Sequence, residues 1–205
     1  MKTKILIAVI IAVLLLAAAV VFGVLYYRMN RDDIEYRRTK AKYEKELNKL
    51  LGEKTEHGEL LSCGYSNSGD MNGNVDSAEL KRQEDGSLIL KTQYSPSHDI
   101  PIEVKEYRAD EDALDKLRTI IDEYNLSAWE RLPRSDYFAL DAATKRIYMA
   151  FDDSASGGSR YESCSVDYDF MLPDKGYDIL KKFTDCLFSW ETEDRLIRTY
   201  TLKED

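Results

Sequence analysis

The sequence predicts an α+β domain: a mostly antiparallel sheet of order β-β-β-β-α-β-β-α with two helices packed on one face, preceded by an N-terminal transmembrane helix and a charged spacer helix. Three observations carry this expectation. Residues 59–108 form four short runs of alternating polarity separated by turn residues, the apolar spacing changes to three and four at 110–125 and 177–190, and residues 5–27 hold no charge.

A four-residue tail, 1–4, carries Lys2 and Lys4. It leads into "ILIAVIIAVLLLAAAVVFGVLYY", 23 consecutive uncharged residues. As a helix these would extend about 34 Å at roughly 1.5 Å per residue, enough to cross the hydrocarbon layer, so the lipid bilayer is the expected partner of residues 5–27. A cleaved signal peptide competes with this reading through the small run Ala17-Ala18-Ala19. Apolar residues continue past it to Tyr27, which favours an uncleaved signal-anchor and a single-pass protein. Orientation stays open, because positive residues after the span outnumber Lys2 and Lys4 while a short basic tail favours the inside.

Residues 28–56 read as a charged juxtamembrane spacer helix ending near Gly52. Tyr36, Tyr43 and Leu50 recur at seven, with Leu47 between the last two. That is barely two heptads, fewer than a coiled coil needs, so a solvated spacer is expected, with homodimer formation through the stalk as the alternative.

The soluble domain, 57–205, opens with "ELLSCGYS", whose Leu61, Cys63 and Tyr65 share one face of a first strand. "LLSC" also spells a lipoprotein signal, but "GEKTEHGE" before it is too polar to enter a membrane. A second run, Val75 to Gln83, is followed by Asp85-Gly86, a strong hairpin signal, and then by "SLILKTQYS" and "PIEVKEY". Asp110, Glu111 and Asp112 put acid at a helix N-terminus, and Ala113, Leu114, Leu117, Ile120, Ile121 and Tyr124 give it one apolar face. Asn125 can end that helix in the left-handed conformation. A second hairpin joins "KRIYMAFDD" to "RYESCSVDY", and "YDILKKFTDCLFSW" turns Leu180, Phe183, Leu187 and Trp190 inward. The last stretch, "RLIRTYTL", reads as an edge strand or a helix tail.

Charge and chemistry exclude more than they assign. Residues 1–52 carry ten Lys/Arg against five Asp/Glu, leaving 19 against 33 and a net charge of −14 on residues 53–205. So acidic a domain repels phosphate backbones, and no nucleic acid is expected as a partner. The three cysteines, Cys63, Cys164 and Cys186, lack metal spacing and read as small buried hydrophobes, with a Cys63–Cys164 disulfide as the alternative in an external domain. The two histidines, His57 in the presumed linker and His98 beside Asp99 in a turn, form no recognisable dyad. Asp70, Asn72, Asn74 and Asp76 alternate like calcium ligands, but Val75 and Lys81 occupy the positions where an EF-hand needs Gly and Glu. Asp152 and Asp153, with Asp141, could be a carboxylate pair, though acids at a strand end commonly serve as solvating groups. No catalytic, cofactor-binding or metal residue is therefore assigned. Fourteen tyrosines and two tryptophans suit a recognition surface for a basic or carbohydrate partner as well as a core.

The segments "YSNSGDMNGN", "WERLPRSDYFALDAATKRIYMAFDD" and "LPDKGYDILKKF", behind one N-terminal span, resemble membrane-anchored proteins of anaerobic Gram-positive bacteria that have no assigned activity. The resemblance covers roughly residues 59–192 and implies a domain displayed outside the cell. The expected function is a non-enzymatic, extracytoplasmic domain binding an envelope protein or polymer. The alternatives are an enzyme acting on cell-wall polymers through carboxylates, or a cytoplasmic-facing membrane adaptor.

Overall fold

The structure, a computed structural model, describes residues 2–68, 73–132, 144–152, 161–168 and 172–202. The chain divides into two compact units, 1–41 and 42–205, and helix α1 (Lys2–Gly52) runs from the first into the second without a break. Among the described residues no helix is long and apolar enough to cross a membrane. This overturns the expected transmembrane helix at 5–27 and the single-pass, signal-anchored arrangement built on it.

The last turns of α1 belong to the second unit and are packed there. Tyr43, Leu47 and Leu50 are buried, and Asn125 Nδ2 donates a 2.9 Å hydrogen bond to the Leu50 carbonyl. Arg131 pairs with Glu53 at 2.6 Å just beyond the helix end. The recurrence at seven is thus covered from within the chain; it is the apolar stripe by which the helix docks on its own domain.

Among the described residues seven strands form one sheet: β1 (Glu59–Ser68), β2 (Val75–Arg82), β3 (Leu88–Ser95), β4 (Ile102–Arg108), β5 (Thr144–Asp152), β6 (Tyr161–Tyr168) and β7 (Leu196–Leu202). Their spatial order is β6-β5-β1-β2-β3-β4-β7, with every neighbouring pair antiparallel. The α+β class and the meander of the first four strands agree with the sequence. The expected element order does not, because it stopped at the second helix and omitted β7, which pairs with β4. Alternation gives each strand a face but not a neighbour. After β4 the chain crosses the sheet through α2 (Ala113–Glu123), so the second hairpin joins at β1 and the far edge of β4 is left for the last strand.

Register aligns the core in rows. Cys164, Met149, Cys63, Leu80, Leu90 and Tyr107 stand opposite one another across β6, β5, β1, β2, β3 and β4. All six are buried, and the parallel row behind them includes Val166, Ile147 and Ala78. A layer of α2 and α3 (Asp174–Phe188) covers these rows. It contributes Leu114, Leu117 and Ile121 from one helix and Leu180, Phe183 and Leu187 from the other. Asn125 takes φ +48° and ends α2, and Gly86 at φ +84° closes the β2–β3 hairpin. No disulfide joins any two of the three cysteines. Cys63 and Cys164 are separated by the whole of β5, about 9.5 Å at the usual strand spacing, so they cannot be bridged as the sequence alternative allowed.

His57 is not in a free linker. Its ring stacks on Phe151 at 4.4 Å between centroids and its Nε2 lies 2.6 Å from the Ser127 hydroxyl. Arg118, on α2, donates to the carbonyls of His57 and Gly58 and stands 5.0 Å from the Phe151 ring centroid. The segment between α1 and β1 is therefore held against the domain by a guanidinium, a ring and a hydroxyl.

Candidate functional site

The helix layer is shorter than the sheet. It covers the rows through Cys63 and Tyr65 but ends at Phe188, and the next row on the same face is polar. In register it runs Lys145, Asn67, Asp76, Tyr94 and Glu103 across β5, β1, β2, β3 and β4. Tyr94 is 56% exposed although it sits in the third strand of a seven-stranded sheet, because no described element covers this end.

Two depressions meet at this row. One, of about 310 Å³, lies between the sheet and α3 and is lined by Tyr65, Asp76, Lys145, Tyr177, Thr184 and Phe188, among others. The other, of about 260 Å³, continues past Phe188 along Asp76, Tyr94, Glu103, Lys105 and Glu191. Asp76 and Phe188 line both, so the two form one track divided by a phenylalanine ring. The Phe188 ring meets Tyr65 edge-on at 6.1 Å, which fixes it as part of the floor.

The electrostatics follow from partial burial. Burial pushes the Asp76 carboxyl above the usual carboxylate range. It also raises the Tyr65 phenol, to which the neighbouring Asp76 charge adds. The other charges are mostly paired: Lys105 lies 2.9 Å from Glu103, and Lys181 bonds Asp185 within α3. Tyr107 Oη donates to Glu191 at 3.2 Å. The Asn67 side-chain oxygen is buried and has no described hydrogen-bond partner. The track thus offers flat aromatic surface, one carboxyl that holds its proton more readily than usual, and charges that cancel locally. That chemistry suits a ligand of apolar ring faces and hydroxyl or amide edges.

The residues singled out from sequence are not brought together. Of the calcium-like run, Asn74 and Asp76 are described and Asp70 and Asn72 lie outside the described residues. Among the described residues no cluster could hold a metal ion. Asp152 ends β5 opposite Glu59 and Tyr161, on a different row from Asp76, and Asp141 and Asp153 lie outside the described residues. His98 and Asp99 are neighbours, 3.5 Å apart and exposed, beside a depression of about 440 Å³ with apolar walls from Val75, Ile100 and Ile102.

Sequence reading missed Phe188, Tyr94 and Glu103. A signal existed for the first: Phe188 falls outside the inward set of Leu180, Phe183, Leu187 and Trp190, and a large aromatic off the buried face is a recognition candidate. Tyr94 and Glu103 gave none, since only register sets them beside Asp76. Compared with known protein families, curated proteins and solved structures, the chain matches none.

Proposed function

We propose that the 42–205 unit is a binding domain, without catalytic activity, for an extended polymer of the cell envelope, held along the Phe188 track on the outer side of the cell. The observation that carries this is the continuity of the two depressions through Asp76 and Phe188. A shallow track walled by Tyr65, Tyr94, Tyr177 and Phe188 fits consecutive rings of a glycan strand better than one small molecule. The net charge of −14 on residues 53–205 disfavours anionic polymers, so a neutral or amino-bearing glycan is the favoured class.

Calorimetric titration with a tetramer of β-linked N-acetylglucosamine tests this. Shallow aromatic sites give Kd values of about 0.1–1 mM, roughly 4–5.5 kcal/mol. Phe188→Ala should weaken binding about 3–10-fold, the worth of one ring contact. Absence of heat with neutral and amino-bearing oligomers alike, from protein that unfolds cooperatively, would remove the proposal.

The raised carboxyl of Asp76 favours a second reading, a hydrolase of the same polymer. Glu103 stands two strands from Asp76 in the same row, about 9.5 Å between backbones at the usual strand spacing, and a water could lie between their carboxyls. Release of new reducing ends that Asp76→Asn abolishes while binding persists would select this reading over simple binding.

A further inference from the structure

β6 and β7 are the edge strands of the sheet, and β7 carries neither acid, lysine nor proline, the residues that blunt an exposed edge; its one charge, Arg198, is paired with Glu106. β7 is also the most apolar exposed strand: Leu196, Ile197 and Leu202 are 41%, 46% and 39% exposed. One of its edges pairs with β4, and among the described residues no strand pairs with the other. Apolar side chains on an open edge form a template for strand addition.

The sequence of the strand names the occupant. Read antiparallel about Thr199, "LIRTYTL" is nearly its own complement. Leu196 meets Leu202 of a second copy, Ile197 meets Thr201, Arg198 meets Tyr200, and Thr199 meets itself. Within one chain the Arg198 guanidinium already lies 5.2 Å from the Tyr200 ring centroid, so the contact repeated across the axis is one these side chains make. Two copies of Arg198 would approach diagonally, yet each is neutralised by its own Glu106 through two 2.8 Å hydrogen bonds, with Tyr200 Oη donating to the same carboxylate at 3.2 Å. A bulge between Glu106 and Tyr107 displaces the Leu196 end, so the regular part of the edge is centred on Thr199 to Leu202.

We propose that β7 is a self-association edge, where two copies of this chain pair their seventh strands about a two-fold axis at Thr199 and continue the sheet from one domain into the other. A seven-residue strand pair buries less than the roughly 800 Å² per partner of a stable interface, so the dimer is reversible and forms at micromolar or higher concentration. Thr201 continues the polar row beyond Glu103, but no β7 residue lines the two depressions, and polymer binding is not required for the pairing.

Disulfide trapping in the full chain tests the register. Thr199→Cys should give a covalent dimer under mild oxidation, because a residue opposite itself brings its Cα to within bridging distance. Thr201→Cys, which faces Ile197 instead, should trap at least ten times more slowly. Adding Ile197→Lys to Thr199→Cys should slow trapping at least tenfold. Circular dichroism confirms that each variant is folded, as expected for substitutions at exposed edge positions. A Thr199→Cys protein that stays monomeric overturns the proposal, as do equal trapping at both positions and a ladder of higher oligomers, the mark of β7 pairing with β6.

Discussion

Gly64 lies where β1 is flanked on both sides, opposite Glu79 of β2 and Tyr148 of β5. A Cβ built there overlaps the Tyr148 ring and hydroxyl and comes 2.5 Å from the Ala78 carbonyl oxygen. Tyr148 can turn away, but a carbonyl inside a ladder cannot move without breaking its pairing. Overpacking of a tight site costs typically 1–3 kcal/mol, and two obstacles, one of them backbone, put Gly64→Ala at the upper end, about 3 kcal/mol. In a domain of this size each kcal/mol lowers Tm by about 2–4 °C, so a fall of roughly 6–12 °C is expected. Trp129 and Trp190 are buried and report denaturant unfolding by fluorescence. Tyr148→Ala in the same chain should recover part of the loss but not all, since the Ala78 carbonyl remains. The reasoning fails if Gly64→Ala lies within about 0.5 kcal/mol of the native protein, the range of an ordinary surface change, or if Tyr148→Ala restores stability fully.

Three further outcomes test other parts of the structure. Leu47→Ala should cost about 2–5 kcal/mol in denaturant unfolding, the range for a buried leucine, whereas a solvated helix position would change stability by less than about 0.5 kcal/mol. Asn125→Ala replaces a residue that visits the left-handed region readily with one that does not, at φ +48°, and removes the bond to the Leu50 carbonyl; it should cost about 2–3 kcal/mol, and Asn125→Gly, free of the backbone strain, should cost less. Glu106 is held below the usual carboxylate range first by its bonds to Arg198 and also by Tyr200. Its contribution is therefore fully present above the unfolded value of about 4.3 and is lost as pH falls through the lower folded value. Glu106→Gln should destabilise the protein at pH 7 and lose that effect progressively as the medium is acidified below the ordinary carboxylate range, as read from Tm across the pH series.

How far the candidate site was legible depends on the reach of each signal. Asp76 stood out, but as part of a calcium-like turn, because its neighbours in sequence are Asn74 and Val75. Its neighbours in space are Asn67 and Tyr94, with Glu103 one strand further along the row, and these follow from hydrogen-bond register between strands, which no local pattern encodes. Phe188 could have been noticed as an aromatic off the buried stripe of its helix. That it closes the end of the helix layer could not.

The sequence by itself determined what short-range physics controls. Alternation defined the strands of the first meander, Asp85-Gly86 its central hairpin, the three-and-four spacing the faces of α2 and α3, and Asn125 the left-handed end of α2. These signals act within a few residues, where sterics and periodicity decide the outcome. The tertiary structure alone decided that β5 pairs with β1 and β7 with β4, that Tyr43, Leu47 and Leu50 are covered by their own domain, and that His57 stacks on Phe151. It also decided that the uncharged run at the N-terminus is part of one helix continuing to Gly52. An apolar stripe or an open strand edge in the sequence requires a partner but does not name it. The partner is chosen by which distant surface lies within reach once the chain has folded.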